Sequence, residues 1–172
     1  MITKIKSNIP HQTNKRIIQT LFDLKKWSFA KDNPHTQQIN KPDSGLKCIS
    51  HSDSQPHTPD EVLNIYGTVI FDMVQDNSIL KFKTLKRFYW NWYHQNSTAT
   101  QFHVDEDKDT TYTILYNLHD NDGGTEFKIN NEIKFEKSIE SEALIYPSKL
   151  EHRGVAPKKD LHRFNLNIVV EV

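Results

Sequence analysis

Cysteine occurs once, at position 48, so no internal disulfide can form; that usage fits a reducing compartment. No apolar run approaches the roughly 20 residues of a membrane span, and the N-terminus, MITKIKSNIPHQ, lacks the apolar stretch of a secretory signal. A cytoplasmic protein is expected. Net charge is missing too, because 22 Lys and Arg balance 22 Asp and Glu. Without a global positive field nothing pulls the chain onto nucleic acid or an anionic membrane regardless of sequence. Internal repeats and low-complexity tracts are absent. What is abundant is bulk. Nine Phe, six Tyr and three Trp among 172 residues supply a core for one globular domain, despite a mean hydropathy of −0.71.

The spacing of these residues divides the chain. Ile17, Ile18, Leu21 and Phe22, with Leu24 and Trp27 beyond them, predict a helix over about 14–26. Residues 32–59 are rich in Ser, Pro, Asn, Asp and His and read as loops, with at most short strands around 27–30 and 46–49. In TPDEVLNIYGTVIFDM, Thr58 as N-cap, Pro59 at the first helical position and Glu61 closing a capping box predict a second helix. Its expected buried stripe is Val62, Ile65, Tyr66, Val69, Ile70, Met73 and Val74. From about residue 80 the period becomes two. Seven or eight short strands with no helix between them mean an antiparallel sandwich or barrel, its outer face buttressed by the helices. The fold class is α+β, in one domain over 1–172: residues 1–84 form a helical and loop support region, and 85–172 the barrel core.

The chemistry concentrates in that core. His103 and Asp105 end the β-like run ATQFHVD, where residues i and i+2 project from one face, so both can aim at one point while Val104 turns away. His152, in YPSKLEHRGVAP, follows another strand and precedes the last, where the chain has gone round the barrel and returned. Two imidazoles and one carboxylate on one side of a metal leave the other side open, which suits non-haem Fe(II) rather than a closed structural zinc. In the last strand, HRFNLNIVV, the apolar Phe164, Leu166, Ile168 and Val170 alternate with Arg163, Asn165 and Asn167. An Arg turned into the barrel is costly without an anion, and its planar fork matches a carboxylate; the plain alternative is an exposed Arg on an edge strand. His11, His35, His51 and His57 lie in polar sequence and read as solvated. His51 and Asp53 repeat the His-X-Asp spelling without flanking alternation. The acidic run DEDKD is no calcium loop, since its sixth position is Thr110 and its twelfth Tyr116.

Taken together, FHVDED, YTILYNLHDNDGGTEF, YPSKLEHRGVAP and HRFNLNIVV resemble the Fe(II)- and 2-oxoglutarate-dependent oxygenases, specifically the prolyl 4-hydroxylase-like branch. The resemblance covers about residues 84–172 well and the N-terminal half only in outline. It implies a double-stranded β-helix, the jelly-roll or cupin-like barrel. It implies His103, Asp105 and His152 as iron ligands, and Arg163, 11 residues beyond His152, as partner of the distal carboxylate of 2-oxoglutarate. Tyr93 lies where related prolyl hydroxylases carry an active-site tyrosine, on the face it shares with Tyr89 and Asn91 and opposite Trp90 and Trp92; a core tyrosine is the plain alternative. Asn117 stands where some relatives have a cosubstrate-binding tyrosine, a departure from the pattern. The implied activity is a dioxygenase that uses Fe(II), 2-oxoglutarate and O2, with ascorbate in support, to hydroxylate a peptidyl (prolyl included) or small-molecule substrate with release of succinate and CO2. A groove with Tyr89 and Trp92 at its rim would favour a peptide. Two alternatives stand beside this. One is a cupin-like metal-binding module without turnover. The other is a nucleic-acid-modifying oxygenase of the same superfamily, which usually shows a second Arg six residues beyond the first, where this chain has Val169.

Overall fold

The computed structural model describes residues 1–24, 27–29, 45–52 and 60–172. Its centre is β10 (His162–Glu171), which pairs antiparallel with β4 (Thr84–His94) on one side and β5 (Thr111–Asn117) on the other. A strand with neighbours on both sides and layers above and below must present two different faces, and β10 does. Phe164, Leu166, Ile168 and Val170, at most 1% exposed, point to the helices, each worth roughly 1.5–3 kcal/mol relative to exposure. Arg163, Asn165 and Asn167 point the other way. The edge-strand alternative for Arg163 is thereby overturned.

The large sheet has seven strands in the order β1-β8-β5-β10-β4-β3-β2, with β1 (Thr3–Lys6), β2 (Ser28–Phe29), β3 (Gly45–Ser52) and β8 (Glu142–Pro147). The small sheet has the order β7-β6-β9, from β6 (Gly124–Ile129), β7 (Glu132–Lys137) and β9 (His152–Val155). β6 and β7 join through Asn130 and Asn131, both at positive φ, the two-residue turn whose twist suits a hairpin. The pairings within both sheets are antiparallel, and the two face each other as a double-stranded β-helix. Leu115, Phe127, Leu144 and Tyr146 form an apolar cluster between them.

Two helices cover the outer face of the large sheet. The first, α1 (His11–Asp23), starts three residues earlier than its periodicity predicts and ends where Leu24 turns extended; the Trp27 indole donates to the Leu21 carbonyl there. Ile17 and Leu21 enter the core, and Asn14 ties the helix down by accepting from the Tyr116 hydroxyl and donating to Ser141. In α2 (Glu61–Asn77), Asp60 is the N-cap, its carboxylate accepting from the Leu63 amide at 3.1 Å. The predicted caps Thr58 and Pro59 lie outside the described residues, as do His35, Asp53 and His57. The buried face of α2 is Leu63, Gly67, Ile70 and Val74, whereas Val62, Ile65 and Val69 are 49%, 63% and 47% exposed. The rotation has a steric cause: a Cβ at Gly67 would strike the Phe88 ring, so this glycine marks the line of closest approach to the sheet.

After residue 80 there are seven strands, the lower of the two expected numbers. The run ATQFHVD is not one of them. It is extended chain with a single bridge residue, His103, because it meets the edge of β9 at isolated points rather than along a ladder. At the opposite edge of the small sheet, β7 alternates charge with exposed Ile133 and Phe135. Among the described residues no helix is long and apolar enough to cross a membrane.

Replacing Asp60 with Ala removes the cap of α2 and is expected to lower stability by about 1 kcal/mol. The reading is a lower urea midpoint with an unchanged slope.

Candidate metal centre

Residues 100–105 run antiparallel to the chain between Ser148 and Gly154. The amides of Thr100, His103 and Asp105 donate to the carbonyls of Gly154, His152 and Ser148 at 3.0, 2.9 and 2.9 Å, and the His152 amide returns a bond to His103 at 2.9 Å. This backbone lattice brings together His103, Asp105 and His152, whose ligand atoms all lie within 4.8 Å of one another.

Both imidazoles are oriented by the same local device. His103 Nδ1 lies 2.9 Å from the Gln101 carbonyl and His152 Nδ1 lies 2.8 Å from the Leu150 carbonyl, each two residues back. A carbonyl only accepts, so each Nδ1 carries the proton and each Nε2 keeps a lone pair for a Lewis acid. His152 Nε2 is 3.4 Å from Asp105 Oδ2.

The carboxylate is held as firmly. Asp105 Oδ2 accepts from Thr113 Oγ1 at 2.8 Å and Asn167 Nδ2 at 3.2 Å, and Oδ1 accepts from the Tyr89 hydroxyl at 3.2 Å. Arg87 donates to the Asp105 carbonyl and stands 3.6 Å from Oδ1. Burial alone would raise the pKa of Asp105, but His152, His103 and Arg87 outweigh it and hold the carboxyl well below the usual range. A buried carboxylate beside two imidazole nitrogens is a donor set that fits a divalent transition metal such as Fe(II).

Arg163 enters the same barrel from the row beyond. It is 1% exposed, yet it donates to Thr125 Oγ1 at 2.9 Å and the Val155 carbonyl at 3.4 Å, pairs with no carboxylate among the described residues, and leaves Nε unbonded. Its guanidinium lies 5.1 Å from the centroid of the Tyr93 ring. Burial pulls its pKa down, opposed by Tyr93 and Tyr146. Unbonded polar atoms recur along this wall at Asn165 Nδ2, Asn167 Oδ1 and the Tyr146 hydroxyl. A buried cation and orphaned donors fit a small anion with several oxygens.

The remaining sequence-predicted residues fall as follows. Tyr93 faces the interior with Tyr89 and Asn91, while Trp90 and Trp92 pack on the helix side. Tyr89 and Trp92 thus lie on opposite faces of β4 and do not border one groove. Asn117 also faces the interior, but its amide is engaged: Ser138 Oγ donates to its Oδ1 at 2.9 Å and its Nδ2 donates to the Glu142 carbonyl at 3.4 Å. His11 is exposed beside Glu140. Sequence reasoning placed Asn167 on the polar face of the last strand without a role and passed over Thr113, Thr125 and Tyr146; only cross-strand register shows which of them meet.

No protein-family model and no curated protein sequence matches the chain. Solved structures do match. A prolyl hydroxylase from Trichoplax adhaerens, in complex with a hypoxia inducible factor oxygen degradation domain peptide fragment, aligns with a TM-score of 0.72 at 12% identity, over 99% of this chain and 83% of that one. A Pseudomonas putida prolyl-4-hydroxylase aligns with a TM-score of 0.66 at 10% identity, over 99% and 92%. HygX from Streptomyces hygroscopicus, with nickel and 2-oxoglutarate bound, aligns with a TM-score of 0.69 at 10% identity, over 99% and 82%.

A Cβ at Gly154 would overlap the Tyr93 hydroxyl. Gly154→Ala is therefore expected to displace Tyr93 and to destabilise the protein by about 1–3 kcal/mol, measured by chemical denaturation. The geometry and these likenesses agree on the architecture: the chain has the double-stranded β-helix fold of the Fe(II)- and 2-oxoglutarate-dependent oxygenases.

Proposed function

We propose that this protein is an Fe(II)- and 2-oxoglutarate-dependent oxygenase that hydroxylates a peptidyl or small-molecule substrate. The observation that carries the reading is the buried, carboxylate-free Arg163 in the same barrel as the His103, Asp105 and His152 cluster. A metal-binding module without turnover has no use for a buried, carboxylate-free cation in the same barrel. The solved relatives support both kinds of substrate, one in complex with a peptide fragment and one with hygromycin B bound.

In this reading His103, Asp105 and His152 hold the iron, and Arg163 holds the distal carboxylate of 2-oxoglutarate. Bound together with O2, these groups supply the oxidation in which 2-oxoglutarate gives succinate and CO2 while a substrate C–H becomes C–OH. The chain contributes position. Gln101 and Leu150 hold the Nδ1–H of each ring and so turn Nε2 toward the metal, Thr113, Asn167 and Tyr89 fix the carboxylate, and the apolar Leu115, Leu144 and Phe127 exclude water. Tyr93 serves as a platform beneath the guanidinium. Substrate reaches the metal from the side of His103, the least buried of the three ligands.

Anaerobic titration of the apoprotein with Fe(II) and 2-oxoglutarate tests this through the weak visible charge-transfer band of the chelated metal. The band is expected in the wild type, lost in His152→Ala, and formed only at much higher cosubstrate in Arg163→Ala. Bound iron with no band in the wild type refutes the reading. Protons compete with the metal for both Nε2 atoms, so Fe(II) affinity is expected to fall from about pH 8 to about pH 5. An affinity that stays flat over that interval counts against the two histidines as ligands.

A further inference from the structure

Tyr146 lies near the end of β8 with its ring edge-on to Phe127, at 4.9 Å and 76°, and to His152, at 5.0 Å and 65°. Strand register sets it opposite Thr113, whose hydroxyl holds Asp105. The side chain is wholly buried, and its hydroxyl has no hydrogen-bond partner among the described residues. A phenylalanine would pack against the same rings without an unsatisfied polar group, so the hydroxyl carries a cost that the packing does not explain.

Three further atoms on the adjoining wall share that condition: Arg163 Nε, Asn165 Nδ2 and Asn167 Oδ1. Of the four, the phenol, the guanidinium and the amide nitrogen are donors, so this part of the barrel interior is short of acceptors. Position separates the donors. Tyr146 shares a row with Thr113 and Val169 at the metal end, and Arg163 lies six residues back along β10. The two side chains nonetheless reach toward each other closely enough to interact electrostatically, and a short dicarboxylate, with oxygens at both ends, can meet both.

We propose that Tyr146 is a cosubstrate-binding residue that donates its hydroxyl to the oxo-acid end of 2-oxoglutarate, beside the metal ligands, while Arg163 takes the distal carboxylate. The inference rests on the oxygenase reading above. It assigns the second end of the clamp to a strand that carries neither the metal ligands nor Arg163.

The test is calorimetric and needs no turnover. Ni(II)-loaded wild type, Tyr146→Phe and Arg163→Lys are titrated with 2-oxoglutarate and with 2-oxobutyrate, which keeps the oxo-acid end and lacks the distal carboxylate. Tyr146→Phe is expected to weaken both ligands by the same factor, about tenfold, as for a lost hydrogen bond to a charged group. Arg163→Lys is expected to weaken 2-oxoglutarate alone. The apoprotein of Tyr146→Phe should melt at or above the wild-type temperature, because it loses an unpartnered buried hydroxyl and keeps the ring. If Tyr146→Phe binds both ligands as the wild type does, the inference falls while the oxygenase reading stands. A loss confined to 2-oxoglutarate places the hydroxyl at the distal carboxylate and overturns the assignment. If the metal-loaded wild type binds no 2-oxoglutarate, both readings fall together.

Discussion

Residues 98–110 form no strand of their own, and the antiparallel bridge between His103 and His152 is what fixes them against the small sheet. The candidate centre depends on that bridge twice. It sets the separation of the two imidazoles, and it places Asp105 two residues further along, under the hydroxyl of Thr113 and the amide of Asn167 from the large sheet. Backbone bonds supply the distance between the sheets, and side-chain bonds supply the aim.

The large sheet meets two demands by alternation. Its outer face is closed by apolar residues of β4, β5 and β10 under the helices, and its inner face carries Tyr89, Asn91, Tyr93, Arg163, Asn165 and Asn167. Polar residues at that depth are tolerable only when bonded. Most are: Asn91 to Asn165, Tyr89 and Asn167 to Asp105, Arg163 to Thr125. The atoms left over are concentrated where a dicarboxylate is proposed to lie, so the shortage of partners reads as a property of the cavity rather than of any one side chain.

Alternation along a single strand is visible in a sequence, and the features that rest on it were legible: the two faces of β10, the inward set Tyr89, Asn91 and Tyr93, and a helix-buttressed antiparallel barrel. What rests on relations between strands was not. The run ATQFHVD has the period of a strand, yet it became extended chain because only His103 finds a β9 partner. The face that α2 buries was misjudged because Gly67, silent in an apolar count, decides how the helix approaches Phe88. Nothing in the stretch EALIYP marks Tyr146 out from a core residue. Only its register against Thr113 and its ring contact with His152 distinguish it from Tyr116, which sits on the opposite face and is bonded to Asn14.

The donors of the centre come from both layers: His103, Asp105 and His152 belong to the side of the small sheet, and Thr113, Asn167 and Tyr89 belong to the large one. A group bound among them therefore also fastens one sheet to the other, and anything that binds only the folded chain stabilises it by mass action. Resistance to proteolysis, and with it the abundance of the protein in a cell, then follows the supply of that group. If such a group binds, the chain would be cleared faster when it is scarce, with no dedicated sensor.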